Sequence, residues 1–274
     1  MSRLPLAATA ALGAALIAAG PASAASPSLH APLKLGGTPL LGGSPLKVGT
    51  PGGQIAQIHH ATPHGQVTQG TSPHWAGYAA DGDGPYHSVS SSWTQPGANC
   101  DATPDAAASF WVGLDGKGTD TVEQTGTTAE CDGGSPSYYG WYEMYPDAPI
   151  SYPGPVAPGD QMSASVNTDG NGNFQLTLAD NTQGWTKTTN ESGQNYQLGS
   201  AEVIAEAPQA SDGSTVPLTD FGSVQFGASS VDGQSLASTP GLEPITLVGD
   251  DGTTKAQPGG IANDGDFGVN WENQ

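Results

Sequence analysis

The sequence predicts an all-β protein, an antiparallel two-sheet β-sandwich of the jelly-roll kind. From about residue 72 onward the chain consists of short segments in which apolar and polar residues alternate, the pattern of strands with one buried face. Nine Asp-Gly pairs and one Asn-Gly pair interrupt these segments, and such pairs favour tight hairpin turns. No segment keeps a 3.6-residue apolar period over three helical turns. These observations favour a sandwich over a helical fold.

Residues 1–24 are interpreted as a secretory signal peptide. Arg3 precedes the apolar run "LPLAATAALGAALIAAG", and the small residues at 22–24 form a cleavage pattern. The alternative is a membrane anchor, but this run is shorter than the roughly 20 apolar residues that cross a bilayer. We therefore expect a secreted, extracellular protein that is cleaved near Ala24.

Residues 25–71 are expected to be a propeptide or a linker, because they are rich in Pro and Gly and lack a sustained apolar period. We interpret the histidines of this segment as solvated loop residues rather than metal ligands; they are His30, His59, His60 and His64. The folded domain is expected to span residues 72–274.

Nine alternating segments of this domain are expected to be strands. In chain order they are "HSVSSSWTQP" (87–96), "SFWVGLDG" (109–116), "DTVEQTG" (120–126), "SYYGWYEMYP" (137–146), "QMSASVNTD" (161–169), "NFQLTLAD" (173–180), "GWTKTTN" (184–190), "SAEVIAEA" (200–207) and "DFGSVQFG" (220–227).

The charge of the chain is strongly asymmetric. Residues 1–71 contain three basic residues and no acid, so all 26 acids lie in residues 72–274 beside three lysines, which gives that part a formal charge of −23. Such a surface repels nucleic acids and anionic membranes, so neither is expected as a partner. Few salt bridges can be lost when the carboxylates are protonated, and this composition suits an acidic medium.

The two cysteines, Cys100 and Cys131, are expected to form one disulfide, since single disulfides form and persist in exported proteins. The alternative is a pair of unpaired thiols. Their spacing does not indicate a metal site, and no cofactor motif is present, so neither a metal nor a cofactor is expected.

Several predicted strands combine an apolar face with a face of aromatic, acidic and amide side chains. The second kind of face contains Trp111 and Asp115 in one strand, Gln124 in the next, and Trp141 and Glu143 in the third. In "SAEVIAEAP" the alternation places Glu202, Ile204 and Glu206 together. Side by side, such faces would line a polar, aromatic groove. Each residue alone is compatible with ordinary packing or solvation.

Several classes of catalytic site are excluded because their sequence motifs are missing. The chain has no G-x-S-x-G, H-E-x-x-H, P-loop or aspartic-peptidase D-T-G motif, and the domain contains only two histidines, His74 and His87. Carboxylates therefore remain as the groups for acid–base chemistry.

Five motifs in order resemble those of the glutamic peptidases, or eqolisins. They are "HWAGY" (74–78), "FWVGLDG" (110–116), "EQTG" (123–126), "YYGWYEMYP" (138–146) and "SAEVIAEAP" (200–208), and the likeness extends to the closing "GDFGVNW". The resemblance implies a β-sandwich with a concave substrate groove, a propeptide that is removed, and an acid endopeptidase insensitive to pepstatin.

Matching motif to motif, the resemblance assigns the catalytic pair to Gln124 and Glu206. It assigns substrate-binding positions in the groove to Trp111, Asp115, Trp141 and Glu143. Two positions depart from the family pattern: His74 stands where Asn is common, and Met144 where a second Trp is common.

The chemistry of this pair is that of a base and a neutral donor. Glu206 can take a proton from the attacking water and return it to the departing amine. Gln124 can donate an amide N–H to the developing oxyanion. Glu202, about 13 Å from Glu206 along the same strand face, is expected to be structural or part of a subsite.

Two other classes of function remain open from the residues alone. A glycoside hydrolase or carbohydrate-binding module would use Glu143 and Glu206 as a carboxylate pair, with Trp residues as sugar platforms. A non-enzymatic adhesion or binding module would be favoured if Gln124 and Glu206 were far apart or buried. For the peptidase, the expected partners are protein or peptide substrates and its own propeptide, and a monomer is expected.

Overall fold

The computed structural model describes residues 70–82, 84–210 and 215–274, and the two short strands Lys34–Leu35 and Thr38–Pro39. The predicted signal peptide and most of the predicted propeptide lie outside these residues. The regular elements of the described residues are strands, apart from the single 3-10 turn Leu236–Ser238. The prediction of an all-β fold is confirmed.

The strands have the following bounds in chain order: β1 Lys34–Leu35, β2 Thr38–Pro39, β3 Gly70–Ser72, β4 Trp75–Ala80, β5 Ser88–Thr94, β6 Ala106–Leu114, β7 Val122–Asp132, β8 Ser135–Tyr145, β9 Ile150–Ser151, β10 Gln161–Thr168, β11 Asn173–Asp180, β12 Trp185–Ser192, β13 Ala201–Glu206, β14 Ser223–Val231, β15 Gln234–Ser235, β16 Leu242–Val248, β17 Thr254–Pro258 and β18 Phe267–Trp271.

The strands form two layers that pack face to face. The first layer has the order β12-β11-β10-β5-β14-β18-β17, and the second has the order β16-β4-β13-β6-β7-β8-β9; hydrogen bonds between β17 and β16 join them at one edge. Neighbouring strands along this order pair antiparallel, whereas β3 pairs parallel to β16. This is the predicted two-sheet sandwich.

The main apolar core lies between the layers. In β6 the inward side chains are those of Phe110, Val112 and Leu114, as the alternation predicts, and β13 contributes Ala201, Val203 and Ala205. The other layer contributes residues such as Leu176, Leu178, Val224 and Phe226. Burying one face of each sheet in this way removes a large apolar area from water, at roughly 25 cal/mol per Å².

The turn dipeptides connect hairpins, as their sequences predict. Asp232 and Gly233 have φ values of 50° and 73° and form a two-residue turn between β14 and β15. Both residues need positive φ in a type I′ turn, which Asp-Gly tolerates. The Asp81-Gly82 pair differs, since it leads from β4 to β5, strands that are not neighbours in the sheet.

A disulfide joins Cys100, in the loop between β5 and β6, to Cys131 at the end of β7, with a Cα–Cα distance of 5.4 Å. The predicted disulfide is confirmed. Within the described ranges, no helix is long and apolar enough to cross a bilayer.

Candidate active site

A second cluster of buried apolar side chains lies on the side of the second layer that faces away from the main core. It contains three fully buried indoles, Trp75, Trp111 and Trp141, together with Ala79, Val122, Ile204 and Ile245. We call this side of the layer the tryptophan face. The rings of Trp75 and Trp111 meet edge to face, with centroids 5.0 Å apart, the geometry that aromatic pairs prefer.

Two glycines make room for these indoles. A Cβ atom on Gly126 would lie 2.5 Å from the Cβ of Trp111, and a Cβ on Gly116 would lie 2.9 Å from the Trp75 ring. Such distances are shorter than van der Waals contact, so only glycine fits. The glycines of the "EQTG" and "GLDG" motifs therefore shape the tryptophan face.

Strand register brings distant parts of the chain together in rows across this face. The first row contains Glu202, Gly113, Gln124 and Glu143; the second contains Ile204, Trp111, Gly126 and Trp141; the third contains Glu206, Ser109, Thr128 and Tyr139. Each row runs across β13, β6, β7 and β8 in that order. The polar faces that alternation predicts thus lie side by side on one surface.

Gln124 and Glu143 are directly paired across β7 and β8. The Gln124 Nε2 donates a hydrogen bond of 2.7 Å to Glu143 Oε2. Burial raises the pKa of Glu143 well above its usual range, and the charge of Glu206 raises it further, while the bond from Gln124 opposes both effects. Glu143 therefore keeps its proton to a higher pH than a free glutamate.

Glu206 lies one row away from Trp111 on the neighbouring strand. The indole Nε1 of Trp111 donates a 2.8 Å hydrogen bond to Glu206 Oε2, and both side chains are fully buried. A bond from an N–H to a carboxylate favours its ionised form. Trp111 therefore both packs in the tryptophan face and orients the carboxylate of Glu206.

Asp115, which the resemblance assigns to substrate binding, accepts three backbone N–H groups in the structure. Its Oδ2 accepts the backbone N–H groups of Gln197 and Leu198 at 2.8 and 2.9 Å, and its Oδ1 accepts that of Gly199 at 2.7 Å. Asp115 also has a positive φ of 64°, so it leaves the alternation of β6. Its carboxylate holds the segment that leads into β13.

One end of the face contains a buried cation. The Nζ of Lys117 pairs with Asp81 Oδ2 at 3.0 Å and with Glu243 Oε2 at 2.7 Å. Glu202 is fully buried nearby, and burial raises its pKa well above the usual range, with Asp115 adding to this effect and Ser200 and Lys117 opposing it. Glu202 is thus part of a structural cluster, in keeping with the structural alternative.

Met144 and His74, the two residues that depart from the family pattern, have their contacts away from the tryptophan face. Met144 packs against the main core between the layers. The His74 ring contacts the backbone oxygen of Ala207 at 3.2 Å and the Nε2 of Gln209 at 3.0 Å, and burial lowers its pKa. Both substitutions therefore leave the polar rows of the tryptophan face unchanged.

Three further polar residues lie on this face and were not singled out from the sequence: Ser109, Thr128 and Glu130. Tyr139 also lies here, on the face of its strand on which alternation places Trp141 and Glu143. The period of two along β7, counted from Gln124, would have placed Thr128 and Glu130 on the same side. No group of three or more His, Cys, Asp or Glu side chains in the described ranges is arranged to hold a metal ion.

The arrangement combines an amide donor, an ionisable carboxyl group and a neutral carboxyl group on one surface. Gln124 and Glu206 lie on strands separated only by β6, about 10 Å apart across the sheet at two strand spacings, and two rows apart along the strands. Long side chains from both strands can approach one bound group between them. This chemistry fits acid–base catalysis with electrostatic stabilisation of a developing negative charge.

Comparison with known proteins shows the family of this chain. Residues 73–258 match the Peptidase A4 family. The chain is 28% identical to aspergillopepsin-2 of Aspergillus niger over 208 residues, which is 68% of this chain and 72% of that protein. The aspergilloglutamic peptidase structure from the same organism covers 61% of this chain and 100% of its own, with 26% identity and a TM-score of 0.54.

Two further solved structures share the fold. Scytalido-glutamic peptidase, solved with a transition state analog inhibitor, has a TM-score of 0.64 and 24% identity, covering 73% of this chain and 98% of its own. SCP-B, an eqolisin solved with the tripeptide Ala-Ile-His, has a TM-score of 0.60 and 23% identity over the same shares. The two-layer architecture described above is therefore shared with both.

Proposed function

Because the chain belongs to the peptidase A4 family, the eqolisins, and is a glutamic-type endopeptidase, we propose that Gln124 and Glu206 are its catalytic pair. The observation that supports this assignment is their placement on one face, with Glu206 bonded to Trp111 and Gln124 bonded to Glu143. The two bonds fix the orientation of both functional groups.

In the proposed reaction Glu206 is the general base. It takes a proton from a water molecule that attacks the peptide carbonyl carbon, and it then gives the proton to the departing amine as the C–N bond breaks. The bond from Trp111 stabilises the ionised carboxylate that begins this cycle.

Gln124 stabilises the oxyanion. Its Nε2 has two hydrogens, of which one is donated to Glu143, and we assign the other to the oxygen that becomes negative. A comparable single donor contributes about 2.7–4 kcal/mol to the transition state. A neutral amide keeps this ability at every pH.

We propose that the enzyme is secreted, acts in acid as a monomer, and is made with residues 25–71 as a propeptide. Short strand β1, within that segment, lies beside β7, the strand of Gln124. Pepstatin is expected not to inhibit, since the proposed pair is Gln and Glu rather than two Asp residues.

The test is proteolysis of denatured casein between pH 2 and 8 in the presence of pepstatin. Wild type is compared with Gln124→Ala and Glu206→Ala, and with Glu191→Gln as a control remote from the tryptophan face. We expect acid proteolysis that pepstatin leaves intact and that both active-site variants lose while their melting temperatures stay near wild type. Full activity of Glu206→Ala would refute the assignment.

A further inference from the structure

Glu206 is the last residue of β13, so the direction of its side chain depends on what holds the chain just after it. Within the sheet Glu206 is paired with Trp75 on one side and with Ser109 on the other. The next residue, Ala207, donates its backbone N–H to the backbone oxygen of His74 at 2.8 Å. This N–H belongs to the planar peptide unit that links Glu206 to Ala207, so the bond limits rotation of the Glu206 backbone.

The side chain of His74 binds the other backbone polar group of Ala207. Its Nδ1 lies 3.2 Å from the Ala207 oxygen. A carbonyl oxygen can only accept a hydrogen bond, so Nδ1 carries a hydrogen and donates it. One residue thus binds both the N–H and the C=O of the residue that follows Glu206.

The second ring nitrogen of His74 binds a side chain two residues further along. The Nε2 of His74 and the Nε2 of Gln209 are 3.0 Å apart. Because Nδ1 carries the hydrogen of the neutral ring, Nε2 accepts and the Gln209 amide donates. The ring therefore links positions 207 and 209, on either side of Pro208.

His74 is itself fixed by contacts that do not involve β13. The Oγ of Ser72 accepts the backbone N–H groups of His74 and Trp75 at 3.1 and 3.0 Å. Ser72 in turn is paired with Leu247 in the parallel ladder between β3 and β16. The His74 residue is buried, with 8% of its surface exposed. The ring is therefore a fixed support for the end of β13.

We propose that His74 is a positioning residue, which fixes the end of β13 and, through the backbone of Ala207, the direction in which Glu206 presents its carboxyl group. This inference rests on the catalytic role proposed for Glu206. Both ring nitrogens are used in the contacts above, so His74 acts through the backbone and not on the substrate. Misplacing a reacting group by about 1 Å can lower a rate about 100-fold, and this support prevents such a displacement.

The bond to Ala207 is kept when the ring gains a proton. Burial lowers the pKa of His74, while the bond to Ala207 and the charge of Asp250, in the turn between β16 and β17, oppose this effect. In the charged ring Nδ1 still donates to Ala207. Nε2 then also donates, and the Gln209 amide can turn so that its oxygen accepts. The support is thus compatible with activity in acid.

The experiment measures kcat and KM at pH 4 on one fluorogenic peptide, for protein expressed from the full chain and below the melting temperature of every variant. His74→Leu removes both ring nitrogens. His74→Asn keeps an amide N–H as many bonds from the backbone as Nδ1. We expect His74→Leu to lower kcat about tenfold with KM nearly unchanged, and His74→Asn to keep kcat within about twofold of wild type.

His87→Leu is the matched control, because His87 is the other histidine of the domain and is exposed. It should leave kcat and KM at their wild-type values. A purely structural role of His74 would lower the melting temperature of His74→Leu but leave the kcat of the folded enzyme unchanged.

An NMR measurement tests the contact itself and does not depend on the folding of His74→Leu. The ¹⁵N spectrum of wild type should show the hydrogen of the neutral His74 ring on Nδ1. Gln209→Glu should raise the pKa of this ring, because it places a carboxylate beside Nε2.

A wild-type kcat in His74→Leu would overturn the proposal, and so would equal losses in His74→Leu and His74→Asn or a neutral ring with its hydrogen on Nε2. These outcomes leave the catalytic pair untouched, because that assignment depends on the separate loss of activity in Gln124→Ala and Glu206→Ala.

Discussion

The amide of Gln124 and the carboxyl group of Glu143 are hydrogen bonded across neighbouring strands, with Nε2 donating to Oε2 at 2.7 Å. Both side chains are almost completely buried, and burial raises the pKa of Glu143 well above its usual range. A neutral carboxyl group therefore fixes the orientation of the amide that is proposed to bind the oxyanion.

Glu143→Leu should lower kcat about tenfold with little change in KM, because Gln124 loses the acceptor that orients it, at a cost of about 1.4 kcal/mol. Glu143→Gln should retain most activity, since it offers a neutral acceptor in the same place. Both are measured on one fluorogenic peptide at pH 4. A loss in Glu143→Gln as large as in Glu143→Leu would show that the charge of Glu143 is needed.

Trp111→Phe should move the pH midpoint of Glu206 upward and lower kcat/KM at pH 4 about tenfold, because the indole donor to Oε2 is removed. The pH dependence of kcat/KM measures both effects. Trp185→Phe is the control, since its Nε1 donates to the backbone oxygen of Pro155 instead. An unchanged midpoint in Trp111→Phe would exclude this role of the indole.

Asp115→Ala should destabilise the domain by about 2–4 kcal/mol, because three backbone N–H groups lose their acceptor. Urea unfolding at pH 5 measures the change, and hydrogen exchange should show faster exchange at Leu198 and Gly199. Asp169→Ala is the control, since Asp169 accepts comparable bonds from Asn171 and Asn173 in an exposed turn. Equal losses in both variants would contradict a special role of Asp115.

Glu123→Gln should raise the melting temperature at pH 8 but not at pH 4. Glu123 is buried on the core side of β7, and burial raises its pKa from 4.5 to about 8, with Asp115 adding to the increase. The unfolded chain releases this proton above about pH 4.5 while the folded chain keeps it, so stability falls by about 1.4 kcal/mol per pH unit until about pH 8.

Thermal melts at both pH values test this prediction. Glu272→Gln, a substitution of an exposed residue, should change neither melt. A stabilisation by Glu123→Gln that is as large at pH 4 as at pH 8 would show that the gain is not due to proton release.

Much of the fold could be predicted because period-two alternation reports directly which side of a strand is buried. Phe110, Val112 and Leu114 enter the core as predicted, and Glu202, Ile204 and Glu206 share the opposite side of their layer. Strand β4 was not among the nine predicted strands. It is buried along its whole length, so "WAGYAA" shows no alternation.

The contacts of the site residues were less predictable than their faces. The motif containing Asp115 gives no sign that its carboxylate binds the backbone of residues 197–199, since these contacts join segments more than 80 residues apart. The contacts among the hydroxyl groups of Ser109, Thr128 and Tyr139 were also missed, because single Ser, Thr and Tyr residues on a strand are common.

The sequence by itself determined the class of fold, the side of each alternating strand that meets the core, and the family of the enzyme, because these follow from local periodicity and short motifs. Only the tertiary structure decided which polar side chains meet. Register across β13, β6, β7 and β8 places Glu206 beside Ser109 and Gln124 beside Glu143. Pairing between strands far apart in the chain depends on the packing of both layers, and no local pattern specifies it.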